Sequence, residues 1–158
     1  MTFARYACLA ICAALTLTAA GPGSVVQAHD GAMGVTKERM DMMKGMADAM
    51  KAMGLMLKGE APFDPEIIAT SAGYLVKNAR TIPDLTPKGS NALPSEALDA
   101  IWQDWDRYVD SANQLADEGA KLVEISENGH DLETVRAQFA KLGRTCGSCH
   151  DAFRKPKD

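Results

Sequence analysis

The segment DLETVRAQFAKLGRTCGSCHDAF, residues 131–153, decides the fold because it joins a helix-start signal to a helical pattern. Asp131 is a good N-cap residue, and apolar or small side chains then recur every three or four positions. The recurring positions are Leu132, Val135, Phe139, Leu142, Cys146, Cys149 and Phe153. A helix with one apolar face must bury that face against other elements, so we expect further amphipathic helices in the chain.

Three more segments show helical periodicity. The predicted helices cover about Val35 to Lys58, Pro65 to Pro83, and Pro94 or Ser95 to Glu127. Asp64 is the expected N-cap of the second helix, with Pro65 at its first position. Strand signals are almost absent, and most connections are short. The sequence therefore predicts an all-α fold, an antiparallel up-down-up-down four-helix bundle.

Apolar stripes predict which faces of the first and third helices are buried. In the first helix the repeat falls on Thr36, Arg39, Met43, Met46, Met50, Met53 and Leu57. In the third helix it includes Trp105 and Tyr108, and we expect Trp102 and Trp105 to pack in the core or between helices.

The N-terminal segment, residues 1–28, has the pattern of a secretory signal peptide. Arg5 supplies the positive charge, an uncharged apolar run follows, and Val26 and Ala28 provide small residues at the cleavage site. The apolar run is shorter than the roughly 20 residues that cross a bilayer. We therefore expect cleavage after Ala28, export to the periplasm, one domain over residues 29–158, and no membrane span after cleavage.

The charge balance of the mature chain argues against an anionic partner. Residues 1–28 contain one charged residue, so residues 29–158 have 16 Lys and Arg against 21 Asp and Glu, a formal charge of −5. This balance gives no support for nucleic acid or an anionic membrane surface as partner. Cleavage also removes Cys8 and Cys12, which leaves Cys146 and Cys149 as a single close pair.

The sequence CGSCH, residues 146–150, is typical of covalent haem attachment. Cys146 and Cys149 are three positions apart, so each thiol can form a thioether with one vinyl group of the porphyrin. His150 then brings an imidazole nitrogen beneath the iron as the proximal ligand. The sequence thus predicts one covalently bound haem c on the last helix.

Other uses of these residues are less consistent with the sequence. A thioredoxin-like pair needs a strand-to-helix context, which a helical chain lacks. A zinc site needs four ligands, and the other histidines of the mature chain, His29 and His130, are distant in sequence. The methionine-rich segment 39–56 suits Cu(I), but helical packing predicts the same pattern. A copper-binding or thiol-redox module without haem is therefore the competing hypothesis from a different class.

Four stretches of the chain resemble the class II c-type cytochromes, the family that includes the cytochromes c′. These stretches are CGSCHDAFR at 146–154, KERMDMM at 37–43, KGEAPFD at 58–64 and AIWQDW at 100–105. The likeness extends over nearly all of the mature chain, and its most specific part is a haem sequence on the last helix. The resemblance implies a four-helix bundle with one haem c, an arrangement for which cytochrome c′ is a known example.

The methionines near the haem decide between two functions. Bundle geometry brings the first turns of the first helix beside the end of the fourth, which leaves Met40, Met42, Met43 and Met46 near the haem. In the family resemblance the distal position lies four residues after the arginine, which is Met43 after Arg39. A Met43 sulfur on the iron gives a low-spin haem suited to electron transfer, as in the low-spin, Met-ligated members that this chain resembles more. If Met43 only covers the iron, the chain is a five-coordinate cytochrome c′-type protein that binds nitric oxide or carbon monoxide.

Two arginines are expected near the haem. Arg154 follows His150 by four positions, so the two are predicted to share a helical face, and the resemblance implies a propionate or pocket contact. The alternative for Arg154 is a solvated charge at the helix end. Arg39, on an apolar stripe, is expected to meet a propionate at the open end of the bundle or to extend into solvent.

These observations predict an exported one-electron carrier that is not an enzyme, with His150 and Met43 as axial ligands. Redox partner proteins are the expected partners, and the acidic surface favours a partner with a basic one. The resemblance also implies a possible homodimer formed through the first two helices, where we expect Met42 and Met56 to offer apolar area.

Overall fold

The computed structural model describes residues 31–156. The predicted signal peptide of residues 1–28 and the domain ends at 29–30 and 157–158 lie outside the described residues. The helices are α1 Gly34–Lys58, α2 Pro65–Ala79, α3 Ala100–Gln103, α4 Trp105–Glu127 and α5 Leu132–Phe153. Within residues 31–156, no helix is long and apolar enough to span a membrane.

The four long helices form an antiparallel up-down-up-down bundle, and α3 is a single turn before α4. The predicted fold class is confirmed. α2 packs along α4, α4 packs along α5, and α1 packs against α2. α1 and α5 contact each other at few positions by comparison. The bundle is therefore most open between its first and last helices, the two that carry the predicted iron ligands.

The predicted starts of α2 and α5 are confirmed by their capping bonds. The Asp64 carboxylate accepts hydrogen bonds from the backbone N–H groups of Glu66 at 2.9 Å and Ile67 at 3.2 Å. Asp131 caps α5 by accepting from the Thr134 N–H at 2.9 Å. Each cap satisfies donors that the first helical turn leaves without an intrahelical partner.

A close approach of α2 and α4 is possible because residue 119 is a glycine. A Cβ on Gly119 would stand 2.9 Å from Val76 Cγ2 and 3.6 Å from the Ala72 carbonyl oxygen. Small residues such as Ala112 and Ala116 continue this face of α4 and are buried. The α2–α4 pair is thus the most tightly packed part of the bundle.

The third helix begins later than predicted. Residues 94–99 are not helical, because Ala97 pairs with Arg154 in an isolated antiparallel bridge. The chain then turns once in α3 and breaks at Asp104, whose backbone lies at φ −133° and ψ 58°. This break rotates Trp105 outward, so the side chain is 37% exposed and the expected core position is wrong.

The buried face of α1 is also rotated from the predicted stripe. Its buried residues are Arg39, Met42, Met46, Met53 and Leu57. Met43 and Met50 are half-buried, on the edge of this face. Met42 is only 8% exposed, so the expectation that it offers apolar surface to a second copy is wrong.

Candidate haem site

Direct contacts fix the antiparallel register of α1 and α5. Arg136 Nε on α5 donates a hydrogen bond of 2.7 Å to the carbonyl oxygen of Leu57 on α1. Phe139 Cζ lies 3.7 Å from the point where a Cβ would stand on Gly54. A step of three residues back along α1 therefore matches a step of three residues forward along α5.

The same register continues toward the haem sequence. Met50 Cε lies 3.8 Å from the Cβ position of Gly143, four residues further along on both helices. Seven residues beyond this contact are Met43 on α1 and His150 on α5. Seven residues are about two helical turns, so each residue stays on the same face of its helix. Extended by seven residues, the register therefore predicts that Met43 and His150 lie at the same level along α1 and α5.

The neighbouring methionines have other surroundings. The Met42 sulfur accepts a hydrogen bond of 3.3 Å from Thr81 Oγ1, in the connection that follows α2. Met46 is 6% exposed and belongs to the main hydrophobic core. Met40 is half-buried. Of the four candidates at positions 40, 42, 43 and 46, Met43 is the one that the extended register pairs with His150.

Cys146 and Cys149 are half-buried free thiols one turn apart on α5. Burial raises the pKa of Cys146, and burial together with the nearby Cys146 raises the pKa of Cys149 to about 11. A hydrogen bond with Ser111 and the charge of Arg107, both on α4, act on the Cys149 pKa in the opposite direction. Both thiols are thus protonated at neutral pH, unlike the thiolate of a redox-active pair.

His150 lies on the last full turn of α5, and its side chain is exposed. Its carbonyl oxygen accepts a hydrogen bond of 3.0 Å from the Arg154 N–H, which closes the helix. In residues 31–156 no group of three or more His, Cys, Asp and Glu side chains is arranged to hold a metal ion.

Arg39 is buried and binds the connection between α2 and α3. Its Nη1 donates to the Leu85 carbonyl oxygen at 2.8 Å and to Ser90 Oγ at 2.7 Å. Its Nη2 donates to the Ser90 carbonyl oxygen at 2.6 Å and to Ser95 Oγ at 3.1 Å. The side chain is 5% exposed, so the expectation that it extends into solvent is wrong.

The charge of Arg39 has no carboxylate partner within the described part of the chain. All four acceptors are neutral, and burial lowers the pKa of the guanidinium. A buried cation is usually paired with an anion. The sequence did not reveal Ser90 and Ser95 as partners, because no motif links them to position 39.

Arg154 lies just beyond the end of α5, in extended backbone at φ −124° and ψ 146°. The prediction that it shares a helical face with His150 is therefore wrong. Its Nε and Nη2 lie 2.6 Å and 2.5 Å from Glu96 Oε2. Two backbone hydrogen bonds also join the chain around Arg154 to the segment before α3. The Leu98 N–H donates to the Phe153 oxygen at 3.0 Å, and the Lys155 N–H donates to the Glu96 oxygen at 2.8 Å.

Tyr108 is a buried polar side chain of α4, and it lies close to Cys149. Its Oη lies 3.0 Å from Thr86 Oγ1. Since Thr86 Oγ1 donates to the Ile82 carbonyl oxygen at 2.7 Å, the Tyr108 hydroxyl donates to Thr86. Burial raises the pKa of Tyr108, and Cys149 and Arg39 are close enough to influence it electrostatically. The phenol is therefore neutral and fixed in place at physiological pH.

The residues present fit a covalently bound haem. Two protonated thiols one turn apart, a histidine next to the second thiol, a methionine in register with that histidine, and a buried cation without a carboxylate form a suitable donor set. The loose packing between α1 and α5 is the arrangement in which a planar ring fits between two helices.

Comparison with known proteins agrees with this arrangement. The family model described as Cytochrome C' matches residues 34–154. A cytochrome c-554 from Cereibacter sphaeroides is 36% identical over 121 residues, which cover 74% of this chain and 78% of that protein. Cytochrome c′ from Rhodopseudomonas palustris superposes with a TM-score of 0.74 at 29% identity, covering 80% of this chain and 100% of that one.

A third similar structure is a nitric oxide complex of a cytochrome c prime variant from Alcaligenes xylosoxidans. Its TM-score is 0.69 at 28% identity, and the match covers 77% of this chain and 94% of that one. The family model spans α1 to the end of α5, which is the whole bundle with all the candidate haem residues. The chain therefore belongs to the cytochrome c′ family of haem proteins, which bind one covalently attached haem c.

Proposed function

We propose that this chain, after cleavage of residues 1–28, is a periplasmic one-electron carrier whose domain is residues 29–158. Cys146 and Cys149 attach the haem c, His150 is the proximal iron ligand and Met43 is the distal ligand. Members of the family are electron carriers and gas-binding proteins and not classical enzymes, so no substrate turnover is proposed.

The register of α1 and α5 is the observation that carries this proposal. Extended by seven residues from the contact of Met50 with Gly143, it supports a position of Met43 level with His150, while the Met42 sulfur accepts a hydrogen bond from Thr81. An iron with axial ligands on both faces has no open position for a gas, and a thioether ligand raises the reduction potential. Both effects favour electron transfer to and from other proteins.

The other residues of the site bind and orient the haem. When bound, the haem supplies a one-electron couple. Half-buried Cys146 and Cys149 would anchor the ring to α5, and His150, the next residue on the same helix, would supply an iron ligand. Arg39 offers a buried positive charge to a propionate, which would provide the anion that its four neutral acceptors do not. Because Arg154 is engaged by Glu96, a propionate contact from it would require exchange of that partner.

Absorption spectra of methionine variants test the distal ligand. The purified protein is expected to show a low-spin haem spectrum, and Met43→Leu should convert it to high spin because leucine has no donor atom. Met42→Leu and Met46→Leu are the matched controls, since each removes a sulfur from the same part of α1 while keeping a similar volume. Both controls should stay low-spin. A low-spin spectrum in Met43→Leu, with a change in either control, would assign the ligand to another methionine.

A second candidate function is gas binding at a five-coordinate iron. It is favoured by the nitric oxide complex of the similar Alcaligenes xylosoxidans protein and by the half-buried, edge position of Met43. In that case the ferric protein would be high-spin, and carbon monoxide would bind the reduced protein at once. A low-spin reduced protein that resists carbon monoxide would exclude this candidate.

A further inference from the structure

We propose that Trp105 and the carboxylates around it form the docking surface for a redox partner that presents a basic surface. This inference rests on the proposed electron-carrier function and adds the place where the electron leaves the protein. The partner is a one-electron metalloprotein with Lys and Arg side chains around its own redox centre.

A chain of aromatic contacts leads from the haem-attachment sequence to this surface. Cys149 packs against the hydrophobic core, and Ser111 and Arg107 of α4 are close enough to influence its pKa. Tyr108 lies on the same part of α4, and its ring centroid is 5.3 Å from that of Phe153 in an edge-to-face arrangement. The centroids of Tyr108 and Trp105 are 5.6 Å apart. The three rings are in continuous van der Waals contact from α5 to the surface.

Trp105 is exposed where this chain of contacts ends. The backbone break at Asp104 begins α4 with the indole turned outward, 37% exposed. Tryptophan is among the residues most often found at the centre of protein interfaces. Tyr108, which is 4% exposed, connects it to the interior.

The charges around Trp105 are mainly negative. Four exposed aspartates lie close to it in sequence, at positions 99, 104, 106 and 110. Arg107 is the nearby cation, but its Nη1 lies 3.8 Å from Asp104 Oδ2 and its guanidinium lies over the Phe153 ring, 5.7 Å from the centroid. An exposed indole in an acidic segment of the chain is complementary to a basic partner, and such charges act mainly on the association rate.

The electron balance of the proposed step is simple. One electron leaves the reduced haem of this protein, which is oxidised, and enters the oxidised metal centre of the partner, which is reduced. No bond forms or breaks, and no proton is transferred. The partner's oxidised centre is the only co-reactant.

Stopped-flow oxidation of the reduced, haem-loaded protein tests the surface with two small probes of opposite charge. The cationic probe is tris(phenanthroline)cobalt(III), and the anionic probe is hexacyanoferrate(III). Two variants alter the proposed surface, Trp105→Leu and the double variant Asp106→Asn with Asp110→Asn. Two matched controls at the other end of the bundle likewise remove one exposed aromatic ring or two carboxylate charges. They are Phe63→Leu, where the ring is 39% exposed, and Glu66→Gln with Glu127→Gln.

At low ionic strength we expect the double aspartate variant to slow oxidation by the cation about tenfold, because part of the electrostatic steering is lost. The difference should shrink as salt is added. Trp105→Leu should lower the rate of oxidation by the cationic probe more than Phe63→Leu does. The haem spectrum and the reduction potential should be unchanged in both variants. Equal effects of the surface variants and their controls would overturn the docking surface while leaving the electron carrier intact. A reduced protein that neither probe oxidises would overturn both.

Discussion

Replacing Arg39 by methionine should release the connection between α2 and α3 from α1. The guanidinium makes four hydrogen bonds to this connection. Without it, the Ser90 carbonyl oxygen still accepts from Thr36 Oγ1, and Ser95 Oγ still accepts from a backbone N–H. The Leu85 carbonyl oxygen and Ser90 Oγ would lose their donor.

The size of the effect follows from these two acceptors. An acceptor left unpaired away from water costs about 1–3 kcal/mol. Burying the guanidinium charge costs free energy, as the lowered pKa of Arg39 indicates. The substitution removes that cost, and this gain offsets part of the loss. We therefore expect the free energy of unfolding to fall by about 3 kcal/mol, and the midpoint of thermal unfolding by about 10 °C.

Urea unfolding of the haem-loaded protein, followed by far-UV circular dichroism, measures this loss. Lys37→Met is the control, because Lys37 lies on the same helix and its side chain is 54% exposed; it should change stability by less than about 0.5 kcal/mol. Adding Ser90→Ala to Arg39→Met should cost less than Ser90→Ala costs alone, because the two residues share bonds. A loss in Arg39→Met no larger than that of the control would refute the reasoning.

Two further predictions concern packing and pH. Gly119→Ala should lower the free energy of unfolding by about 1 kcal/mol, because the new Cβ would stand 2.9 Å from a methyl of the stiff Val76 side chain. The matched change Gly73→Ala, where no atom lies within 4 Å of the new Cβ, should raise stability by about 0.5–1 kcal/mol in the same urea assay; equal effects would contradict the packing argument. Hydrogen bonds from Thr134 lower the pKa of Asp131, so its charge stabilises the fold above about pH 4 and that contribution is lost as pH falls through the folded-state pKa. Asp131→Asn keeps a capping side chain but removes the charge, so its free energy of unfolding should be lower than that of the parent at neutral pH. This difference should disappear in acid. A difference that is the same at both pH values in urea unfolding would contradict the argument.

Local signals predicted the four long helices and the starts of α2 and α5. Asp64 followed by Pro65, and Asp131 before an apolar repeat, are both N-caps in the structure. Each of these signals depends on residues within one turn of the helix start, so no information from the rest of the fold is needed. The haem sequence belongs to the same class of local signal, since its chemistry depends on the spacing of adjacent residues.

Features that depend on distant residues were not predicted. The late start of α4 results from the pairing of Ala97 with Arg154, 57 positions apart in sequence. That pairing replaces the helix expected after Pro94 and also removes Arg154 from the face of His150. The binding of Arg39 to Ser90 and Ser95 likewise depends on the path of an irregular connection, which local patterns do not determine.

The methionines of α1 show why a helical repeat alone could not separate neighbouring positions. α1 packs against α2 on one side and faces α5 on the other, so its apolar arc is wider than a single stripe and includes both Met42 and Met43. Methionine suits such an arc because its flexible side chain fills irregular space. Only the register separates the two: Met42 contacts Thr81 beyond α2, and the register of the α1–α5 contacts, extended by seven residues, predicts that Met43 is level with His150. Two identical side chains next to each other in sequence can therefore have different surroundings, which is why the proposed iron ligand is Met43 and not Met42.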